Sequence, residues 1–87
     1  MTIRLNTEYS EQELAFLNAN NCDILSEIKL PDLSGLALPT RMFICGSSYI
    51  GEIKDDGELF WAVLSKFKGK YHWGECYSDL KALEKGL

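Results

Sequence analysis

Histidine occurs once in this chain, at His72, and that scarcity excludes any two-histidine metal site or histidine acid–base pair. Cysteine occurs three times, as Cys22, Cys45 and Cys76, spaced 23 and 31 residues apart. An odd count without a C-x-x-C pair is neither a disulfide framework nor a zinc ribbon. The expectation is free thiols buried as small hydrophobes, in a reducing compartment. No apolar run approaches the roughly 18 residues of a membrane span, so no membrane partner is expected. The opening residues Met-Thr-Ile-Arg-Leu-Asn lack the basic and apolar regions of a signal peptide, which adds to a cytoplasmic expectation.

Eighty-seven residues make a single domain over 1–87, of a size where one core is barely sufficient. With 46% hydrophobic and 25% charged residues, the chain has the composition of a soluble globule. Its net charge of −4 is uneven. Residues 1–40 carry Glu8, Glu11, Glu13, Asp23, Glu27 and Asp32 against Arg4 and Lys29, whereas residues 41–87 are balanced. An acidic first half disfavours general nucleic-acid binding, which rests on neutralising phosphates. It suits a basic partner surface, although solubility alone also explains such a face.

Local pattern implies an α+β fold: an antiparallel meander sheet with an N-terminal and a short C-terminal helix. Ile3 and Leu5 alternate with polar residues, as in a short strand over 2–6. Ser10-Glu11-Gln12-Glu13 fits a capping box and opens a helix over 11–19, anchored by Leu14, Phe16 and Leu17. Over 22–30 the helical and strand periods compete, and Pro31 favours strand by pushing Leu30 toward extended geometry. Residues 31–40, with two prolines and a glycine, form an irregular crossover. Strands follow near 42–45, 49–54, 58–67 and 71–76, and Ser78 caps a helix over 79–85. Asp55-Asp56-Gly57 is read as a three-residue hairpin loop. That register sets Lys54 against Glu58, Ile53 against Leu59 and Gly51 against Trp61, leaving bare backbone beneath an indole.

The strand 58–67 is apolar on both sides through Leu59-Phe60-Trp61-Ala62-Val63-Leu64. In this register Tyr49, Ile53, Leu59, Trp61, Val63, Phe67, Tyr71, Trp73 and Tyr77 share one face. Ile50, Glu52, Phe60, Ala62, Leu64, Lys66, Lys68 and His72 share the other. Burying one large apolar side chain is worth roughly 1.5–3 kcal/mol, so both faces need a cover. Two short helices cover one. The second cover is either the crossover, through Leu33, Leu36 and Leu38, or another protein chain, with a homodimer the simplest form.

Sites for chemistry are sparse. A zinc set of Cys22, Cys45, His72 and Cys76 fails on spacing, because His72 and Cys76 lie roughly 13 Å apart along a strand. Cys45 and His72 would form a thiolate–base pair only if the fold joined them, and Phe43-Ile44 beside Cys45 suggests an inert thiol. No catalytic, metal-ligating or cofactor-binding residue is assigned, and no cofactor is expected. Lys66-Phe67-Lys68-Gly69-Lys70-Tyr71-His72-Trp73 interleaves lysines with rings, a pattern that grips single-stranded nucleic acid. Three strands and a following helix also resemble, in topology over half the chain, small DNA-reading domains of the integrase arm-binding kind. Such a resemblance implies a row of DNA-reading arginines, whereas Arg41 is the only arginine after residue 4. The reading favoured is a small acidic, non-enzymatic interaction, inhibitor or accessory protein that self-associates. Its surface is expected to draw on Phe60, Leu64, Lys66, Lys68, Lys70, His72, Glu8 and Glu11. The alternative is a small-ligand or single-stranded nucleic-acid binder using the aromatic face and hairpin lysines.

Overall fold

The capping box at Ser10 forms as the sequence implies. Glu13 N–H donates to the Ser10 hydroxyl oxygen at 3.1 Å, while Ser10 N–H donates to the Glu13 carboxylate at 2.8 Å. The computed structural model describes residues 2–29 and 36–87. Within them the elements run β1 (Thr2–Arg4), α1 (Glu11–Ala19), β2 (Cys22–Leu25), β3 (Glu27–Lys29), β4 (Arg41–Cys45), β5 (Ser48–Asp55), β6 (Glu58–Phe67), β7 (Lys70–Tyr77) and α2 (Leu80–Gly86). The fold is α+β, with a five-stranded antiparallel sheet in the order β2-β4-β5-β6-β7 and a two-stranded ribbon β1-β3. The four expected meander strands are β4 to β7, and β2, from the stretch 22–30, adds the fifth.

Residues 22–30 resolve the competition of periods in favour of strand, but as two pieces. Cys22–Leu25 pairs with β4, and after Ser26 the chain joins β1 through Glu27–Lys29. Pro31 and Leu33 lie outside the described residues. The cap of α2 is Asp79 rather than Ser78, its carboxylate accepting Ala82 N–H at 2.8 Å.

The hairpin between β5 and β6 corrects the expected register by one residue. Asp55 pairs with Glu58, Lys54 with Leu59, Ile53 with Phe60, Glu52 with Trp61 and Gly51 with Ala62. The loop has two residues, Asp56 and Gly57, both at positive φ (52° and 82°). Such a type I′ turn matches the twist of the flanking strands, so Asp55 joins the ladder instead of the loop. Lys68-Gly69 repeats the device between β6 and β7 (φ 51° and 78°). Because side chains alternate with a period of two, a one-residue shift moves every β5 side chain to the opposite face relative to β6. Ile50 and Glu52 thus join Trp61 and Val63, while Ile53 joins Phe60.

One face carries the helices. Phe16 and Leu17 of α1 and Leu83 of α2 pack with Phe43, Ile50 and Trp61, all buried. On the other face Met42, Gly51 and Ala62 are successive partners across three strands and are also buried. The Trp73 indole lies over Gly51, 2.6 Å from where a Cβ would stand, with the Pro39 ring 3.2 Å from the same point. Its Nε1–H donates to the Ala37 carbonyl at 2.8 Å. A tryptophan does lie over bare glycine backbone, but it is Trp73 and not Trp61. β7 reaches this position through a bulge, with Gly74-Glu75 opposite Val63 alone. The middle of β6 is therefore covered on both sides by the chain itself. The argument for association from an uncovered β6 falls away, although Leu59 (52% exposed) and Phe67 (64%) stand out toward its ends.

The cysteines correct a second expectation. Cys22 and Cys45 are direct cross-strand partners with Cα atoms 4.4 Å apart and form a disulfide, while Cys76 is free and exposed. Close pairs of this kind occur at non-hydrogen-bonded positions of antiparallel strands. Sequence separation hid a neighbourhood that only strand pairing creates.

Two outcomes follow. Gly51→Ala should lower stability by about 1–3 kcal/mol in urea unfolding, since the Trp73 ring must move; an unchanged midpoint would contradict that packing. Reducing the disulfide should lower stability by about 3 kcal/mol, as expected for a cross-link of this loop length. Thiol titration of the unreduced, denatured protein should count Cys76 alone, and three reactive thiols would contradict the bridge.

Candidate functional site

Pairing of β4 with β5 sets Glu52 beside Arg41, and the corrected β5–β6 register adds Trp61 to the same face. Arg41 Nε–H donates to Glu52 Oε1 at 2.9 Å and Nη2 to Glu52 Oε2 at 2.7 Å. The same guanidinium donates from Nη1 and Nη2 to the two carboxylate oxygens of Glu13, both at 2.9 Å. Its last N–H goes to the Glu8 carbonyl at 3.0 Å. All five donors of the planar fork are used, so Arg41 has none left for a ligand. Thr40 Oγ1–H adds a bond to Glu52 Oε1 at 2.7 Å. The guanidinium also lies over the rings of Tyr9 and Trp61, 4.6 and 5.2 Å from their centroids. The cluster ties the first turn of α1 to two strands of the sheet.

Its electrostatics follow from that geometry. The side chains of Arg41 and Glu52 are 14% and 10% exposed, so water screens their attraction little. Hydrogen bonds from Arg41 hold the carboxyls of Glu52 and Glu13 below their ordinary 4.5, against the opposing effect of burial. Burial pushes the Tyr9 phenol up to about 12, opposed by the Arg41 charge. Among the described residues, no buried side-chain nitrogen or oxygen lacks a hydrogen-bond partner.

Beside this cluster a groove of about 660 Å³ opens between α1 and α2. Phe16, Trp61 and Leu80 supply apolar wall, and Glu13, Asp79 and Glu84 set three carboxylates around it against the single Lys81. Asn20 Nδ2–H donates to Glu84 Oε2 at 3.2 Å, joining the C-terminal end of α1 to α2. The Arg41 cluster fixes the Glu13 wall, and the Asn20–Glu84 bond helps fix the opposite one.

The residues singled out from sequence do not form one patch. Phe60 and Leu64 are half-buried on the face away from the helices, and Lys66 follows them, its ammonium 5.2 Å from the Tyr71 ring centroid. Lys70 and His72 belong to the opposite face, as partners of Phe67 and Ser65, and Lys68 sits in the turn. Glu8 and Glu11 are exposed around the start of α1. The groove and the cluster beside it draw instead on Glu13, Glu52, Asp79 and Glu84, which the sequence reading did not place on its surface. Glu52 meets Arg41 through the pairing of β4 with β5, which no local pattern announces.

No nucleophile pair forms: Cys45 is bonded to Cys22 on β2, and His72 stands on the far edge strand β7. Among the described residues no three His, Cys, Asp or Glu side chains gather as a metal site, and no helix is long and apolar enough to cross a membrane. Compared with family models, with curated proteins and with solved structures, the chain matches none.

The Arg41 cluster has a pH signature. A carboxyl held low in the folded state stabilises the fold above its unfolded value near 4.5, and that contribution is lost as pH falls. Urea unfolding from pH 7 to pH 3 should therefore show stability dropping below about pH 4.5, and less so in Glu52→Gln. Arg41→Met should cost roughly 3 kcal/mol at pH 7, because Glu52 would remain buried without its partner. Stability that stays flat into acid, or an unaffected Arg41→Met, would contradict the cluster.

Proposed function

We propose that this chain is a non-enzymatic interaction protein, of inhibitor or accessory type, whose groove between α1 and α2 receives a basic segment of another protein chain. The observation that carries this reading is the groove itself, an apolar floor at Phe16, Trp61 and Leu80 beneath three carboxylates. Apolar contact with a positively charged rim partner is how complementary surfaces gain both hold and specificity. Arg41 pairs with Glu13 on one wall, and Asp79 and Glu84 on the other keep the rim net negative against Lys81. A second copy of the chain is among the partners this reading admits.

One observation favours a second reading, single-stranded nucleic acid on the lysine-bearing hairpin. Lys66 lies over Tyr71, and Lys68 lies 5.4 Å from the Phe67 ring centroid, so charge and stacking surface occur together. The overall charge of −4 opposes it. The cytoplasmic setting also belongs with these proposals. The Cys22–Cys45 bridge pulls against it, because cytosolic reductants keep most thiols reduced.

Titration with a lysine-rich amphipathic peptide, its glutamate counterpart and a single-stranded oligonucleotide, each at two salt concentrations, separates the readings. The cationic peptide should bind at low salt, perturb the Trp61 indole and Lys81 signals, and weaken as salt rises. Binding of the oligonucleotide with shifts confined to residues 66–73 would favour the second reading. No binding by any of the three would overturn the groove reading.

A further inference from the structure

The chain carries on its own surface a segment with the chemistry its groove calls for. β5 pairs with β6 only as far as Ile50 opposite Val63, whereas β6 and β7 continue together to Phe67 opposite Lys70. Residues 64–73 thus form a two-stranded arm whose ladder runs past the last pairing with β5. Lys66, Lys68 and Lys70 are exposed on it, Phe67 is 64% exposed at its end, and residues 64–74 contain no carboxylate. The arm cannot fill the groove of its own molecule. Trp61 at the groove and Phe67 at the arm lie six residues apart along one extended strand, roughly 20 Å.

We propose that the occupant of the groove is a second copy of this chain, the Lys66–Lys70 tip of one protomer entering between α1 and α2 of the other. This inference rests on the groove reading above and names its partner. Phe67 meets the apolar floor at Phe16, Trp61 and Leu80, while Lys66, Lys68 and Lys70 face the carboxylates of Asp79 and Glu84, which no arginine holds among the described residues. Opposite charge on the two surfaces sets the orientation. Each protomer owns one arm and one groove, so a two-fold arrangement in which both arms engage closes the assembly at two copies. Leaving Phe67 in water is a loss for the monomer that the pairing removes.

Sedimentation velocity across protein concentration, at low and at high salt, tests the inference. The wild-type chain should reach twice its monomer mass at high concentration and low salt, and dissociate as salt rises. Lys70→Glu and Glu84→Lys should each raise the dissociation constant by about tenfold. The double variant K70E/E84K, in which each contact regains opposite charges, should restore association, an outcome that misfolding cannot produce. A wild-type chain that remains monomeric at every concentration, or a double variant no better than the singles, would overturn the proposal. A synthetic peptide of residues 64–73 separates this failure from that of the groove. If the protein stays monomeric but the peptide still perturbs Trp61 and Lys81, the groove reading stands and self-occupancy falls. If this peptide and the lysine-rich amphipathic peptide both fail, both readings fall.

Discussion

The guanidinium of Arg41 is the point where the two layers of this small fold are joined by polar contacts. A helix of nine residues is too short to be stable by propensity, so α1 depends on what it packs against. Phe16 and Leu17 supply the apolar hold. Apolar contact has little direction, however, and would permit α1 to slide on the sheet. Eight hydrogen bonds gather around Arg41, Glu13, Glu52, Thr40 and the capping box, and these do have direction. A charged trio this sheltered is a risk as well as a restraint. Satisfied, it pins one arrangement, and with one member removed it leaves a charge in a poorly solvated place.

That trio rests on the pairing of β4 with β5, which sets Arg41 opposite Glu52. The turn Asp56-Gly57 sets the register of β5 against β6, and that register places Trp61 opposite Glu52, on the face where Arg41 and Glu52 already meet. A three-residue loop would have set Gly51 against Trp61 and put that indole on the face away from Arg41 and Glu52. Two consecutive positive-φ residues in a hairpin thus decide which ring lies beneath the Arg41 guanidinium.

Local chemistry made much of the fold legible before any coordinates. Ser10 to Glu13 announces a helix start through its own hydrogen bonds, and the alternation of residues 41–77 announces strands, because both signals are carried within a few residues. Three features were not legible, each for a physical reason. Asp55-Asp56-Gly57 supports two loop lengths, and only strand twist chooses between them. Cys22 and Cys45 meet through pairing of β2 with β4, a long-range event that spacing does not encode. The groove draws Glu13 from one helix and Asp79 and Glu84 from the region of another, so no local pattern could unite them. The lysine-rich tip, by contrast, was visible because its residues are consecutive, and its chemistry complements the groove that was hidden.

The most direct test of the Arg41 account is a titration of the side-chain carboxyl carbon of Glu52 in the native protein, followed by NMR. The account predicts a midpoint below the ordinary 4.5, together with a parallel depression at Glu13, both held down by hydrogen bonds from Arg41. A Glu52 that titrates at 4.5 or above would show a carboxylate buried without its guanidinium, and the layer joint described here would not exist.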